Sequence, residues 1–214
     1  MFDLNFDPKT FLKNAAGGAE RGLDRIFAVP QRGLITSDGH RAHIVPADPL
    51  PEKDLSLDFL SLLPEQVRGP SHDSFRRVTE FPKGFEVCEI DAKTLRKAAQ
   101  DAHKRIRARG SEFFRGFVRW DRDGLSLFGV ELREQQTGRG KKSAKTVLAR
   151  TDEPIALIPA ESALATEIGI NPLFLYESLV HARGAVRVHH LDPRDPIYLQ
   201  RNDGCKAVIM PVRM

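Results

Sequence analysis

The sequence predicts an α+β protein in which a short helix followed by antiparallel strands recurs along the chain. Three look-alike helix openers and a series of short alternating runs joined by turn residues point to it. The openers are Phe6-Asp7-Pro8-Lys9-Thr10-Phe11, Ile90-Asp91-Ala92-Lys93-Thr94-Leu95 and Ile170-Asn171-Pro172-Leu173-Phe174-Leu175. Each puts Asp or Asn where a side-chain oxygen can accept a free amide of the first turn. Pro8 and Pro172 fall at the first helical position, where a missing N–H costs nothing. The pairs Phe6/Phe11, Ile90/Leu95 and Ile170/Leu175 have the spacing of a hydrophobic staple. Three such openers argue for an internal repeat.

Strands are expected between and after them. Gly33 to Ser37 and Arg41 to Val45 flank the turn Asp38-Gly39. Phe117 to Trp120 leads through Asp121-Arg122-Asp123-Gly124 into Leu125 to Val130, a hairpin pattern. Val186 to His189, Ile197 to Leu199 and Ala207 to Met210 read as three more. Over Lys93 to Arg107, Leu95, Ala98, Ala99, Ala102 and Ile106 gather on one helical face. Lys93, Arg96, Lys97, Gln100, Lys104 and Arg107 gather on the other.

Composition narrows the function classes. With 214 residues and 41% apolar content, the chain can bury one large core or two small ones. Its apolar runs are too short to span a bilayer, the N-terminal residues are acidic rather than basic, and a cytoplasmic location is expected. Cys88 and Cys205 cannot make a disulfide framework and read as buried small residues. The net charge is only +4, but it is unevenly spread. Residues 91–109 carry seven Lys/Arg against two Asp, residues 130–150 six against two acids, and residues 151–182 five acids with no Lys or Arg. The cationic face of the 93–107 helix suits sequence-independent contact with phosphates. Gly138 to Lys145 is expected as a second basic loop, and it lacks the order of a nucleotide-binding glycine loop. No metalloprotease, hydrolase or zinc signature is present. His40 and His43 have no supporting ligands, and His189 and His190 would face opposite ways in a strand. No metal, cofactor or catalytic residue is expected.

Four segments then resemble one family. Ala207-Val208-Ile209-Met210-Pro211-Val212-Arg213-Met214 is similar to the last strand and tail of the bacterial DNA sliding clamp, the beta subunit of DNA polymerase III. Ile168 to Leu179 resembles that family's last helix, Ser37-Asp38-Gly39-His40-Arg41 its Thr-Asp-Gly-His-Arg turn, and Phe75-Arg76-Arg77-Val78 its Tyr-Arg-Arg-Val linker. The resemblance implies the sliding-clamp fold in shortened form. Residues 1–83 would be a reduced middle domain plus linker, with a second helix near Leu55 to Leu63, and residues 84–214 a complete last domain. It departs from the family at Ala42, where leucine is usual, and at Arg21-Gly22, where aromatics are common.

The resemblance also implies a processivity factor that encircles double-stranded DNA. Its partners would be DNA polymerase, clamp loader and repair proteins bearing short peptide motifs. The peptide pocket would be Leu23, Gly39, His40, Arg41, Arg77, Val78, Val208, Met210, Pro211, Val212, Arg213 and Met214. The DNA-facing cations would be Lys9, Lys13, Lys93, Arg96, Lys97, Lys104, Arg107, Arg139, Lys141 and Lys142. A homo-oligomer is implied, a trimer restoring the family's six domains. The alternative is an adaptor or competitor that uses the pocket without encircling DNA.

Overall fold

The computed structural model describes residues 8–21, 23–48, 52–58, 64–65, 75, 79–81, 86–108, 115–136, 144–160, 166–190 and 192–212. Helix α1 (Pro8–Lys13) and a single 3-10 turn (Ala19–Arg21) precede strands β1 (Ile26–Val29), β2 (Gly33–Ser37), β3 (Arg41–Val45), β4 (Leu55–Leu57) and β5 (Pro64–Glu65). The remainder runs β6 (Glu86–Asp91), α2 (Ala92–Arg107), β7 (Gly116–Asp121), β8 (Gly124–Gln136) and β9 (Ala144–Ile158). It continues with β10 (Thr166–Ile170), α3 (Pro172–Ser178), β11 (Ala185–His190), β12 (Ile197–Arg201) and β13 (Lys206–Ile209). From β6 onward the same strand–helix–three-strand unit occurs twice, and the openers mark both copies. Asp91 and Asn171 are the N-caps, accepting from the amides of Thr94 and Leu173. Ile90/Leu95 and Ile170/Leu175 are buried. The N-cap expected at Asp7 lies outside the described residues.

Every strand pairing among the described residues is antiparallel. Nine strands form one sheet in the order β5-β4-β1-β2-β3-β13-β12-β11-β6, and four form a second, β10-β7-β8-β9. The long sheet is made by β3 and β13, which join the early part of the chain to its last strand with Ile209 opposite Arg41 and Val208 opposite Ala42. The two sheets meet over a shared core in which Trp120 of β7 stacks on His190 of β11 at 5.0 Å. His189 points away, edge-on to Phe81 at 5.5 Å, so the two histidines do face opposite ways.

Two expectations are corrected. Leu55 to Leu57 is strand β4, not part of a helix, paired with β1 through Phe27↔Ser56. Leu55-Ser56-Leu57 alternates with period two, and pairing satisfies the backbone groups of β1's edge, which local helix preference would leave open. Residues 59–63 of that expected helix lie outside the described residues. The basic loop expected up to Lys145 gives way to β9 at Ala144, where Gln136 pairs with Ala144 and Gln135 with Lys145.

Both cysteines are buried, and burial pushes the Cys88 thiol upward and the Cys205 thiol up to about 12. They stay neutral and pack as small apolar groups.

Candidate DNA-facing helix layer and peptide groove

Helix α2 buries Ala92, Leu95, Ala98, Ala99, Ala102 and Ile106, the face read from its periodicity. Leu95 and Ile106, almost fully buried, each contribute about 2 kcal/mol. The opposite face leaves Lys93, Lys97, Lys104, Arg105 and Arg107 exposed, with Arg96 half-buried. Sixteen residues carry this cationic stripe over about 24 Å.

The other helices lie beside it. Phe11 of α1 and Ser178 of α3 both reach His43 of β3, so α1 and α3 occupy the same side of the long sheet, and α2 packs along α3. Lys9 and Lys13 on α1 are exposed. The basic residues Arg139, Lys141 and Lys142 lie outside the described residues.

His43 is the joint of this layer. Its ring is fully buried and stacks on Phe11 at 4.2 Å with an 8° interplanar angle. Nδ1 lies 2.7 Å from the Phe11 carbonyl and Nε2 3.0 Å from Ser178 Oγ. A carbonyl can only accept, so Nδ1 carries the proton and Nε2 is the acceptor nitrogen, with the single Ser178 hydroxyl proton in reach of both Nε2 and the Phe174 carbonyl at 2.7 Å. Burial, with Arg41 and Arg201 nearby, pushes the His43 pKa down to about 3. The ring is therefore neutral at physiological pH.

The candidate groove side is built on the same strand. Strand alternation sends Arg41 and His43 toward the helices and Ala42 and Ile44 the other way. Ala42 and Ile44 join Leu23, Phe27, Val29, Ile35, Phe75, Tyr198 and Val208 in an apolar cluster. It spans both parts of the chain, with Phe75 against Phe27 at 4.3 Å. Gly39 (φ +87°) permits the left-handed turn at the tip of the Asp38–Arg41 hairpin, and Ser37 and Asp38 side chains hold its amides. The Met210 amide donates to the His40 carbonyl at 2.8 Å, extending the β3–β13 ladder by one step. Val212 then donates to Gly169 on the second sheet, also at 2.8 Å. The tail thus bridges the two sheets, with Met210, Pro211 and Val212 half-buried and Gly39 and His40 exposed beside it.

Three of the pocket residues named from the sequence have a different place from a groove rim. Leu23 and Val208 are buried in the cluster floor. Arg41 faces α3, where it pairs with Glu177 and, at 3.1 Å, with Asp38, and lies 4.3 Å over the Phe174 ring. Its charge fastens the hairpin to α3. Arg77, Val78, Arg213 and Met214 lie outside the described residues. The joint residues Phe174, Glu177, Ser178 and Arg201 could not be found by motif, because their partners are distant in sequence.

Among the described residues no three His, Cys, Asp or Glu side chains gather where a metal could be held, and no helix is long and apolar enough to cross a membrane.

The repeated units, the long joined sheet and the helix layer define the DNA sliding-clamp fold. Solved structures that share it include bacterial DNA polymerase III beta subunits. The beta subunit from Thermotoga maritima matches with a TM-score of 0.64 at 16% identity over 96% of this chain. The sliding clamp from Pseudomonas aeruginosa, solved with a ligand, matches with 0.67 at 15% identity over 96%. The beta subunit from Streptococcus pyogenes matches with 0.64 at 16% identity over 100%. This chain spans 63%, 64% and 67% of the length of those chains. No family model matches the sequence, and no curated protein does.

Proposed function

We propose that this chain is a clamp-like processivity factor that encircles double-stranded DNA as a homotrimer and engages short peptide motifs of polymerases, clamp loader and repair proteins. In this reading residues 1–83 form the reduced middle domain with its linker and residues 84–214 the last domain, so three chains supply six domain-like units. The observation that carries it is the unbalanced cationic face of α2 in the same layer as α1 and α3. Contacts of this kind hold phosphates without reading sequence, which is what sliding requires.

Head-to-tail closure has candidate edges at both ends. Among the described residues β9 is one of the two outer strands of its sheet, and β5 is at one end of the long sheet. Leu157 on β9 is the large apolar side chain left exposed among the described residues, at 54%. An open edge with an apolar residue favours pairing with another chain, and a heterologous contact closes into a ring when its rotation allows.

The peptide groove would lie along the tail, over the Leu23–Val208 cluster. Deleting Val212 to Met214 removes the tie to Gly169. The expected result is at least about a tenfold loss of affinity for a labelled peptide with leucine and phenylalanine anchors, measured by fluorescence polarisation, with the circular dichroism spectrum retained. Unchanged affinity would place the groove elsewhere. A second reading, an adaptor that binds peptides without encircling DNA, is favoured by the slight early part of the chain. Its described residues supply one helix and strands of a single sheet.

A further inference from the structure

The N-terminal end of α2 and the turn between α3 and β11 enclose a cleft of about 410 Å³ whose turn residues no sequence motif marked. It is lined by Lys93 and Arg96 from the helix and by His181, Arg183 and Gly184 from the turn, with Asp91 between them. Lys93, His181 and Arg183 are exposed and Arg96 is half-buried.

The turn is held in place by the backbone. Gly184 adopts φ +67°, a left-handed backbone that glycine takes without steric cost, and a Cβ there would press on the Asn202 side chain at 2.9 Å. Its carbonyl accepts the Ala92 amide at 2.8 Å, locking the turn to the start of α2. His181 takes φ +61°, a conformation uncommon outside glycine. Asp91, the acid in the lining, is committed to the Thr94 amide and hydroxyl at 2.8 and 2.7 Å. Three permanent cations against that one acid leave the lining net positive. The attraction comes from side chains, since the cap already occupies the helix terminus.

We propose that this cleft is a second phosphate-backbone subsite, in which Arg183 and His181 join Lys93 and Arg96 to hold a phosphodiester of the DNA duplex. The inference rests on the DNA-encircling reading and extends it beyond the helix. Lys93 and Arg96 belong at once to the cleft and to the stripe running on to Lys97, Lys104 and Arg107. The ligand that fits such a continuous surface is an extended polyanion rather than a single small anion. Two guanidinium groups suit the paired free oxygens of a diester.

The test measures duplex binding by fluorescence anisotropy across a salt series, using Arg183→Glu and Arg183→Lys in the full chain and thermal melts to confirm folding. His181→Asn, which tolerates the left-handed backbone, is the second variant. Arg183→Glu is expected to weaken short-duplex binding about tenfold at low salt and lower the salt slope by about one, while Arg183→Lys keeps most of both. His181→Asn is expected to weaken binding about twofold. An unchanged slope in Arg183→Glu, with binding lost on reversal of Lys97, Lys104 and Arg107, would overturn the subsite and leave the encircling reading standing. Binding untouched by either set would overturn both. Inorganic phosphate is the separate arm. Amide shifts at His181 to Gly184 in millimolar phosphate, with duplex affinity unaffected by Arg183→Glu, would make this a free-anion site and overturn the proposal.

Discussion

Charge reversal of Lys97, Lys104 and Arg107 together is expected to abolish retention on closed circular DNA. All three side chains are exposed on the face of α2 opposite its buried stripe, so glutamate there disturbs no packing and the fold should melt normally. Each phosphate contact removed lowers the salt dependence by about 0.9. Three per chain, with repulsion added, correspond to a loss of residence on the order of 100-fold. The wild-type chain should remain on a closed circle through size exclusion and leave it once the circle is cut. The variant should not remain even on the closed circle, while its peptide affinity is unchanged. Retention that survives reversal would remove α2 as the lining.

The second large effect concerns the joint. Replacing His43 by leucine keeps a side chain of similar bulk but removes both hydrogen bonds and the stacked ring between α1, β3 and α3. A cost of about 2 to 3 kcal/mol at pH 7.5 is expected, because the Phe11 carbonyl loses its side-chain donor. The pH dependence carries the sharper signature. In the unfolded chain His43 titrates near 6.5, and in the fold at about 3. Between those values the unfolded chain takes up a proton that the fold refuses. The stability is therefore full above pH 6.5 and falls as the pH drops toward 3, by about 3 kcal/mol at pH 4. His190, whose pKa is also lowered by burial, acts in the same direction in both proteins. The difference between wild type and His43→Leu in urea melts should thus shrink from pH 7.5 to pH 4. Parallel curves would show that His43 is not held neutral by its surroundings.

What could be read from the sequence was local. Asp91 and Asn171 announced their helices because a cap needs only one side chain and the next turn. Leu95 and Ile106 announced a buried face because a helix repeats every 3.6 residues whatever it packs against. The Asp38-Gly39 turn was legible because a positive φ calls for glycine. The joint was not. Nothing near His43 in sequence shows that Phe11 and Ser178 will meet its two nitrogens, and nothing near Arg41 shows that Glu177 will face it. The pairing of β3 with β13, some 160 residues apart, decides both. Leu55 to Leu57 was misread for the same reason: three residues form β4 only because β1 offers an open edge. The Asp38–Arg41 hairpin and the tail strand were legible, but the side of β3 that Arg41 occupies followed from the pairing register. The cleft at His181 and Arg183 had no motif, since it arises where two distant segments meet.

If three of these chains close into a ring around DNA, their solution mass reports it. Light scattering after size exclusion, at low and moderate salt and micromolar concentration, should give three copies of the 24.0 kDa chain, about 72 kDa. A monomer under the same conditions would contradict it, and the cationic face of α2 would then be a solvated surface of a peptide-binding adaptor.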